Sequence, residues 1–259
     1  MENIKVIDMD ADNINEYGFC CLKNTQHEGY RRKTDWLKKR FTEGIKLKTL
    51  YSPEEGTLGY IEYIPGEYVW RAVEANGYMV VHCLFNIYKK YKGKGYGSLL
   101  LKECIRDAKR ESMFGVAAVT RKGPWMAGKD VFLKNGFELV DKAPPDFELL
   151  VKKFNKNAPS PQFKGDWDKR LSQYNKGLTI IRSDQCPFLE KWINEISETA
   201  QKNFGLAAKI VELKTCKDAQ NAPSAFAVFS LIYKGKLLVD HPISNKRFIN
   251  IMNKELGRK

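Results

Sequence analysis

The stretch Lys90-Tyr91-Lys92-Gly93-Lys94-Gly95-Tyr96-Gly97-Ser98-Leu99-Leu100-Leu101 alternates three glycines with larger residues. It then runs at once into an apolar helical pattern, Leu99, Leu100, Cys104, Ile105 and Ala108. A strand-like run, Met79-Val80-Val81-His82-Cys83-Leu84-Phe85, comes just before it. The order is therefore strand, glycine turn, helix. Glycine lets the backbone curl without Cβ clashes, so several N–H groups can converge on one anion. The positive end of the following helix adds to that attraction. Lys89, Lys90, Lys92 and Lys94 surround the turn with positive charge. Together these features predict a cradle for a pyrophosphate-bearing ligand.

Three kinds of glycine loop compete for this pattern. A P-loop needs Gly-x4-Gly-Lys-Ser/Thr, a spacing absent from the chain. A dinucleotide fingerprint needs Gly-x-Gly-x-x-Gly and an acidic residue about 20 positions on. Here the spacing is Gly-x-Gly-x-Gly, and the next predicted strand, residues 114–119, ends in Thr120-Arg121. The third kind is the acyl-CoA loop of the GNAT family of N-acetyltransferases, Gln/Arg-x-x-Gly-x-Gly/Ala. Lys90-x-x-Gly93-x-Gly95 resembles it, with Lys90 in place of Gln or Arg. A solvated glycine turn before an ordinary helix is the reading that a short motif alone leaves open.

The flanking residues extend the resemblance. A short helix is predicted at residues 127–134, and Phe132-Leu133-Lys134-Asn135-Gly136-Phe137 resembles the family's second signature, a helix running into Tyr-x-x-x-Gly-Phe. Upstream, residues 45–51 and 58–64 read as strands around the turn Ser52-Pro53-Glu54-Glu55-Gly56. Residues 30–41 read as an amphipathic helix with Trp36, Leu37 and Phe41 on one side. The resemblance covers about residues 1–155. It implies an α/β (α+β) fold with a mixed central sheet flanked by helices, and acetyl-CoA as cosubstrate with no metal.

The same resemblance implies roles for particular residues. The strand leading into the loop, through Cys83, Leu84, Phe85 and Ile87, would hydrogen-bond the pantetheine arm. The loop amides of Lys92, Gly93, Lys94, Gly95, Tyr96, Gly97 and Ser98 would hold the pyrophosphate. An unidentified amine, on a small molecule or a peptide, would then attack the thioester directly. The amine must be neutral, the oxyanion needs fixed donors, and the leaving thiolate wants an acid. The family often uses a Tyr four residues before the glycine of Gly-Phe, where this chain has Phe132; Trp125 and Gly128 replace the usual Asn and Ala. Tyr88, Tyr91, Tyr96, His82 and Cys83 are the substitute candidates, and Glu62 or Glu67 the candidate base. His82 and Cys83 are consecutive on a strand, so one of them is expected to face the acyl group. Arg71, at the end of an aromatic-rich run, is placed to bind an acidic group on the substrate, if that run lines a pocket rather than packing as a strand pair.

Composition narrows the class. At 259 residues with 43% hydrophobic residues the chain has ample core for one large or two modest domains. The formal charge of +13 suits an anionic cofactor and general solvation; nucleic acid is not expected, because no recognised binding module accompanies the charge. No apolar run approaches the roughly 18 residues of a membrane span, and the polar N-terminus is no signal peptide. Six cysteines are too sparse for a secreted disulfide scaffold, so a cytoplasmic location is expected. Cys20, Cys21, His27, His82 and Cys83 lack the paired spacing of metal ligands, and His241 has no evident partner.

A second unit is expected after a linker at residues 156–176, near the prolines of Asn155-Lys156-Asn157-Ala158-Pro159-Ser160-Pro161-Gln162. Residues 177–259 read as βαβ, ββ, α, with Cys186-Pro187 at the first helix start. This order resembles thioredoxin, and its pairing with the first unit resembles YoaP-like proteins. The resemblance implies a cis Ala222–Pro223 bond. Thioredoxin chemistry needs Cys-x-x-Cys, and Leu189 occupies the second position, so disulfide exchange within the motif is excluded. Cys186 is either a thiolate favoured by a helix N-terminus or a small buried apolar residue. The tail reads as a docking or substrate-shaping module. An N-acyltransferase is the leading function; a non-catalytic acyl-CoA-binding regulator and an acyltransferase acting on RNA are the alternatives.

Overall fold

The computed structural model describes residues 4–19, 21–86, 91 and 93–258. The first unit runs β1 (Lys5–Met9), α1 (Ile14–Tyr17), α2 (Glu28–Phe41), β2 (Lys46–Ser52), β3 (Gly56–Pro65), β4 (Val73–Glu74) and β5 (Tyr78–Asn86). It continues through α3 (Tyr96–Arg110), β6 (Gly115–Thr120), α4 (Asp130–Leu133), β7 (Glu138–Ala143) and β8 (Phe147–Lys153). Then follow β9 (Gln162–Phe163), α5 (Trp167–Ser172), β10 (Leu178–Arg182), α6 (Leu189–Phe204) and β11 (Ala208–Glu212). The chain ends with α7 (Cys216–Gln220), β12 (Phe229–Tyr233), β13 (Lys236–Val239) and α8 (Asn245–Glu255).

Seven strands form the large sheet in the order β1-β2-β3-β5-β6-β8-β7. Every neighbouring pair is antiparallel except β5 with β6. The alternation of strand side chains divides the core into two faces. Tyr60, Ile64 and Val80 join the cluster under α2, whereas Ile61, Tyr63 and Val81 join the one under α3. Helix α2 buries Tyr30, Lys33, Trp36, Leu37 and Arg40, an i, i+3, i+4 stripe of which two members carry charge. The His27 side chain caps its N-terminus by accepting the Gly29 N–H at 3.0 Å. Helix α3 buries Leu100, Leu101, Cys104 and Ala108, most of the apolar stripe seen in the sequence.

Pairing between β5 and β6 covers only Tyr78–Val81 against Gly115–Ala118. Beyond Val81, β5 continues to Asn86 bonded only to β3 among the described strands. The parallel pair therefore opens into a wedge whose β5 side retains backbone groups for another partner. The strand β1 and the hairpin β7–β8 had no counterpart in the sequence reading. β7 is an edge strand with Glu138, Leu139 and Val140 exposed, so it lacks the in–out alternation that marks a half-buried strand.

The small sheet has the order β11-β10-β12-β13, with β10 and β11 parallel and the other pairs antiparallel. Its βαβ, ββ, α sequence is the one expected, with α7 inserted. That insertion bears on one expectation that fails. The only cis bond among the described residues is Pro144–Pro145, so Ala222–Pro223 is trans. Asn221 is the C-cap of α7, and β12 begins only at Phe229. Pro223 thus follows a helix end, a place where trans proline is common.

The segment 156–176 is ordered where it touches the large unit. β9 pairs with β4, and the Phe163 N–H donates to Asp141 at 2.7 Å. One apolar cluster extends without interruption from Trp36, Trp70 and Val80 to Ile180, Leu189 and Phe229. Close packing at the junction is sharpest at Gly29, where a Cβ would lie 1.9 Å from the Pro187 carbonyl oxygen. Helix propensity alone predicts that Gly29→Ala stabilises by about 0.5–1 kcal/mol. The clash with backbone reverses the sign: Gly29→Ala is expected to destabilise by about 1–3 kcal/mol in urea titrations. An increase in the urea midpoint would refute the packing described.

Candidate active site

A cavity of about 260 Å³ lies between the wedge of the large sheet and the second unit. Its sheet side is formed by Val81, His82, Cys83, Leu84, Phe85 and Val119, with Phe132 from α4. Its other side is formed by Gln185, Cys186, Pro187, Phe188, Phe226 and Val228. Lys33, Tyr60 and Arg71 also line it.

The register of β5 explains why consecutive residues reach the same space. Glu62 pairs with Cys83 but Tyr63 pairs with Val81, so His82 is an extra residue in a β-bulge. A bulge interrupts the alternation of side chains and re-aims them. His82 and Cys83 consequently both line the cavity, where strict alternation had allowed only one of them.

Behind this wall is a buried polar network. Lys33 Nζ donates to Glu62 Oε2 at 2.8 Å and to the Gln185 carbonyl at 2.9 Å. Gln185 Nε2 donates to Glu62 Oε1 at 2.7 Å, and the Gln185 side-chain oxygen accepts from Arg71 at 2.5 Å. Arg71 also donates to the carbonyls of Trp70 and His82, each at 2.7 Å. His82 Nε2 accepts the Trp70 N–H at 3.0 Å, so Nδ1 carries the ring proton, and it faces Glu62 Oε1 at 3.3 Å. Burial pushes the His82 pKa down to about 4, which leaves the ring neutral at pH 7. Burial raises the Glu62 carboxyl, but the Lys33 ammonium and His82 outweigh it and hold the group below the usual carboxylate range. For Lys33 burial acts downward and the Glu62 charge reverses it, so the ammonium is held more firmly than usual. Arg71 is lowered by burial to about 10 and remains a cation.

Several expected roles are altered by this geometry. Glu62 does not line the cavity, and its carboxylate is engaged by Lys33 and Gln185 while facing the proton of His82. Both ring nitrogens of His82 face protein groups. Glu67 accepts the Gly77 N–H at 2.8 Å, outside the cavity wall. Burial pushes the Cys83 thiol up to about 11 and Cys186 up to about 12, and it raises Cys21 as well. The thiolate reading of Cys186 is thereby corrected: α6 begins only at Leu189, and desolvation outweighs the Phe188 backbone contact that lowers the pKa. The Tyr91 and Tyr96 rings meet at a tilt, with centroids 5.4 Å apart, and the Tyr91 hydroxyl donates to Glu55 at 2.7 Å. Tyr88, Ile87 and Lys92 lie outside the described residues, as do Lys89, Lys90 and Cys20.

The glycine turn has the backbone its sequence demands. Gly93 and Gly95 both take φ 84°, a left-handed conformation that side chains rarely adopt, and Gly95 is the N-cap of α3. Among the described residues a Cβ at either would meet nothing within 4 Å. The first amides of a helix have no partner within it, and Gly95 brings no side-chain cap. Lys94 is placed beside Tyr91, while Gly97 and Ser98 form the first turn of α3 with Tyr96. Ser98 Oγ accepts from Asn135 at 2.9 Å, tying this turn to the Asn-Gly-Phe signature.

Sequence reasoning missed three contributors. Lys33 looks like any helical lysine until α2 is docked. Gln185 and Phe226 belong to a unit whose first docking partner could not be read from local pattern. Trp125 was noted only as a departure. It adopts φ 74° and meets Phe188 and Trp192 at ring distances of 5.9 and 5.0 Å, closing the cavity from the large unit.

The fold and the cavity define a mixed α/β protein with a cleft between two sheets. The YoaP-like family model matches residues 208–250. The chain is 33% identical over 251 residues, 95% of its length and 98% of the other, to the uncharacterized N-acetyltransferase YoaP of Bacillus subtilis (strain 168). The chain belongs to this family of YoaP-like N-acetyltransferases. In backbone it is similar to the PaiA N-acetyltransferase of Thermoplasma acidophilum in complex with coenzyme A, with TM-score 0.42 and 17% identity over 59% of this chain and 99% of that one. It is also similar to a GNAT family acetyltransferase of Brucella melitensis in complex with acetyl-CoA, with TM-score 0.40 and 13% identity over 62% and 94% of the two chains.

The neutral His82 makes stability depend on pH. In the unfolded chain this ring titrates near 6.5, in the folded one at about 4. Between those values the unfolded state binds a proton that the native state does not. Stability is expected to be complete above pH 6.5 and to fall by on the order of 3 kcal/mol as pH drops to about 4. Urea denaturation at intervals from pH 7.5 to 4.5 reads this slope. His82→Gln, which keeps an acceptor for the Trp70 amide, is expected to flatten it.

Proposed function

We propose that the protein transfers an acyl group, normally acetyl, from acetyl-CoA to an amine on a small molecule or peptide. The observation that carries this reading is the wedge between β5 and β6 joined in sequence to a left-handed glycine turn and a helix N-terminus. An extended pantetheine arm would add as a strand beside Cys83, Leu84 and Phe85, where β5 has outrun β6. The amides from Gly93 to Ser98 would receive the pyrophosphate at the positive end of α3. A thioester carried by that arm would lie at the bulge, near Phe132. Family membership supports the same chemistry. We place residues 1–155 as the CoA-binding unit and residues 177–259 as the unit that covers the acceptor side, in a cytoplasmic protein. Among the described residues no helix is long and apolar enough to cross a membrane.

In this reading the amine nitrogen attacks the thioester carbonyl and the C–S bond breaks. The thiolate takes up a proton from a neighbouring donor, and the proton released by the nitrogen restores that donor, leaving amide and free thiol. The amine must arrive neutral. The largely apolar cavity wall favours that form, because desolvation disfavours an ammonium. Glu62 serves as a positioning residue that holds Lys33, Gln185 and His82. Phe132 has no proton to give. The Tyr60 hydroxyl, which donates to Cys21 Sγ at 3.6 Å and lies 3.3 Å from Cys83 Sγ on the cavity wall, takes over the role of proton donor in this reading.

Two measurements test this assignment. Gly95→Val puts a branched side chain at the turn before α3 and forces it into a left-handed backbone. Calorimetry is expected to show acetyl-CoA affinity reduced at least tenfold, about 1.4 kcal/mol, in a folded variant; unchanged affinity would overturn the assignment. Tyr60→Phe is expected to lower kcat at least tenfold with acetyl-CoA affinity within twofold of the parent, as removal of an acid catalyst does. A full rate in that variant would remove Tyr60 from the chemistry.

A further inference from the structure

We infer that the acceptor amine also carries a carboxylate next to an apolar body of aromatic size, and that Arg71 is the residue that binds the carboxylate. This rests on the acyl-transfer reading above and goes one step further, to the class of acceptor. The charges of the cavity wall and the network behind it do not cancel. Lys33 and Glu62 neutralise each other at 2.8 Å, and His82 is held between Trp70 and Glu62 as a neutral ring. Arg71 remains. Its residue is 2% exposed, and among the described residues no carboxylate lies within ion-pair distance of its guanidinium. A cation removed from water without a counter-charge is strongly disfavoured, and an anion brought beside it relieves that penalty.

The guanidinium also has unused donors. Of the five N–H groups of an arginine, three are taken by the Trp70 carbonyl, the His82 carbonyl and Gln185 Oε1. Nε is buried without a hydrogen-bond partner. Arg71 lines the cavity and lies over the Phe226 ring at 5.2 Å, so its charge is presented next to an apolar wall from the second unit. Phe188 and Trp125 continue that wall. One uncompensated positive charge matches a carboxylate; a phosphate dianion would call for a second free cation, and Lys33 is already paired.

The test uses the full-length protein and acceptor mimics that lack an amine, so that binding is read without turnover. Arylalkyl carboxylates, beginning with 3-phenylpropionate, are titrated by calorimetry against the matching alcohols, with and without CoA. The carboxylate is expected to bind at least tenfold more tightly than its alcohol. Folded Arg71→Met is expected to lose that preference. Equal or undetectable binding of carboxylate and alcohol by the wild type overturns the inference, even if Arg71→Met fails to fold, and so does a preference that persists in the folded variant. CoA binding measured in the same titrations separates the two readings. CoA bound without carboxylate preference leaves acyl transfer standing and removes the acceptor assignment. Carboxylate preference without CoA binding removes acyl transfer and leaves an arginine-centred carboxylate site.

Discussion

The buried pair of Lys33 and Glu62, bridged by Gln185, is the interaction on which the arrangement of the two units depends. Glu62 comes from β3, Lys33 from α2 and Gln185 from the turn before α6. Each is buried, and each would be left with an unsatisfied charge or polar group if another were withdrawn. Removing one partner of such a pair costs about 3–5 kcal/mol, far more than the pair adds over an apolar core. The network therefore acts chiefly as a registration device. It sets the position of the second unit over the wedge of the large sheet, because only that placement gives Glu62 its second donor and Lys33 its carbonyl acceptor.

The chemistry of the cavity follows from that registration. The bulge at His82 brings its carbonyl to Arg71 and its ring between Trp70 and Glu62, which makes His82 a structural element of the wall. Desolvation favours the protonated form of the nearby thiols Cys83 and Cys186. An arginine with no carboxylate partner supplies the positive field. A single network thus determines which groups are neutral, which are charged, and which remain available to a substrate.

The second unit contributes one side of the cavity wall, while the residues that the thioredoxin likeness singles out have other uses here. Cys186 is a half-buried thiol on the wall, Pro187 packs its carbonyl against Gly29, and Pro223 sits in trans in the loop after α7. What this unit provides is shape and hydrogen bonding. Phe188 meets Trp125 and Phe226 faces Arg71, so aromatic surface from one unit is laid against a cation and an indole from the other.

Much of the local structure was legible in the chain. Glycines at alternate positions before an apolar helix determined the turn at Gly93 and Gly95, because such φ values strongly favour glycine. Apolar strand-like runs and the turn at Ser52–Gly56 determined β2, β3 and β5, and a β-branched run determined β10. The same local rules could not find β7, an exposed edge strand without alternation, or α7, five residues held by the Thr215–Asp218 capping box. Nor could they identify the site's electrostatics. Glu62 read as a candidate base because a strand glutamate carries no mark of its partners; Gln185, its hydrogen-bond donor, lies 123 positions away, and Arg71 meets Gln185 across 114. Short-range periodicity and φ preferences are properties of neighbouring residues, so the sequence by itself determined the elements and the glycine turn. Burial and charge pairing arise only when distant segments pack, so the tertiary structure alone decided which carboxylate is neutralised, which histidine stays neutral, and which arginine is left without a counter-charge.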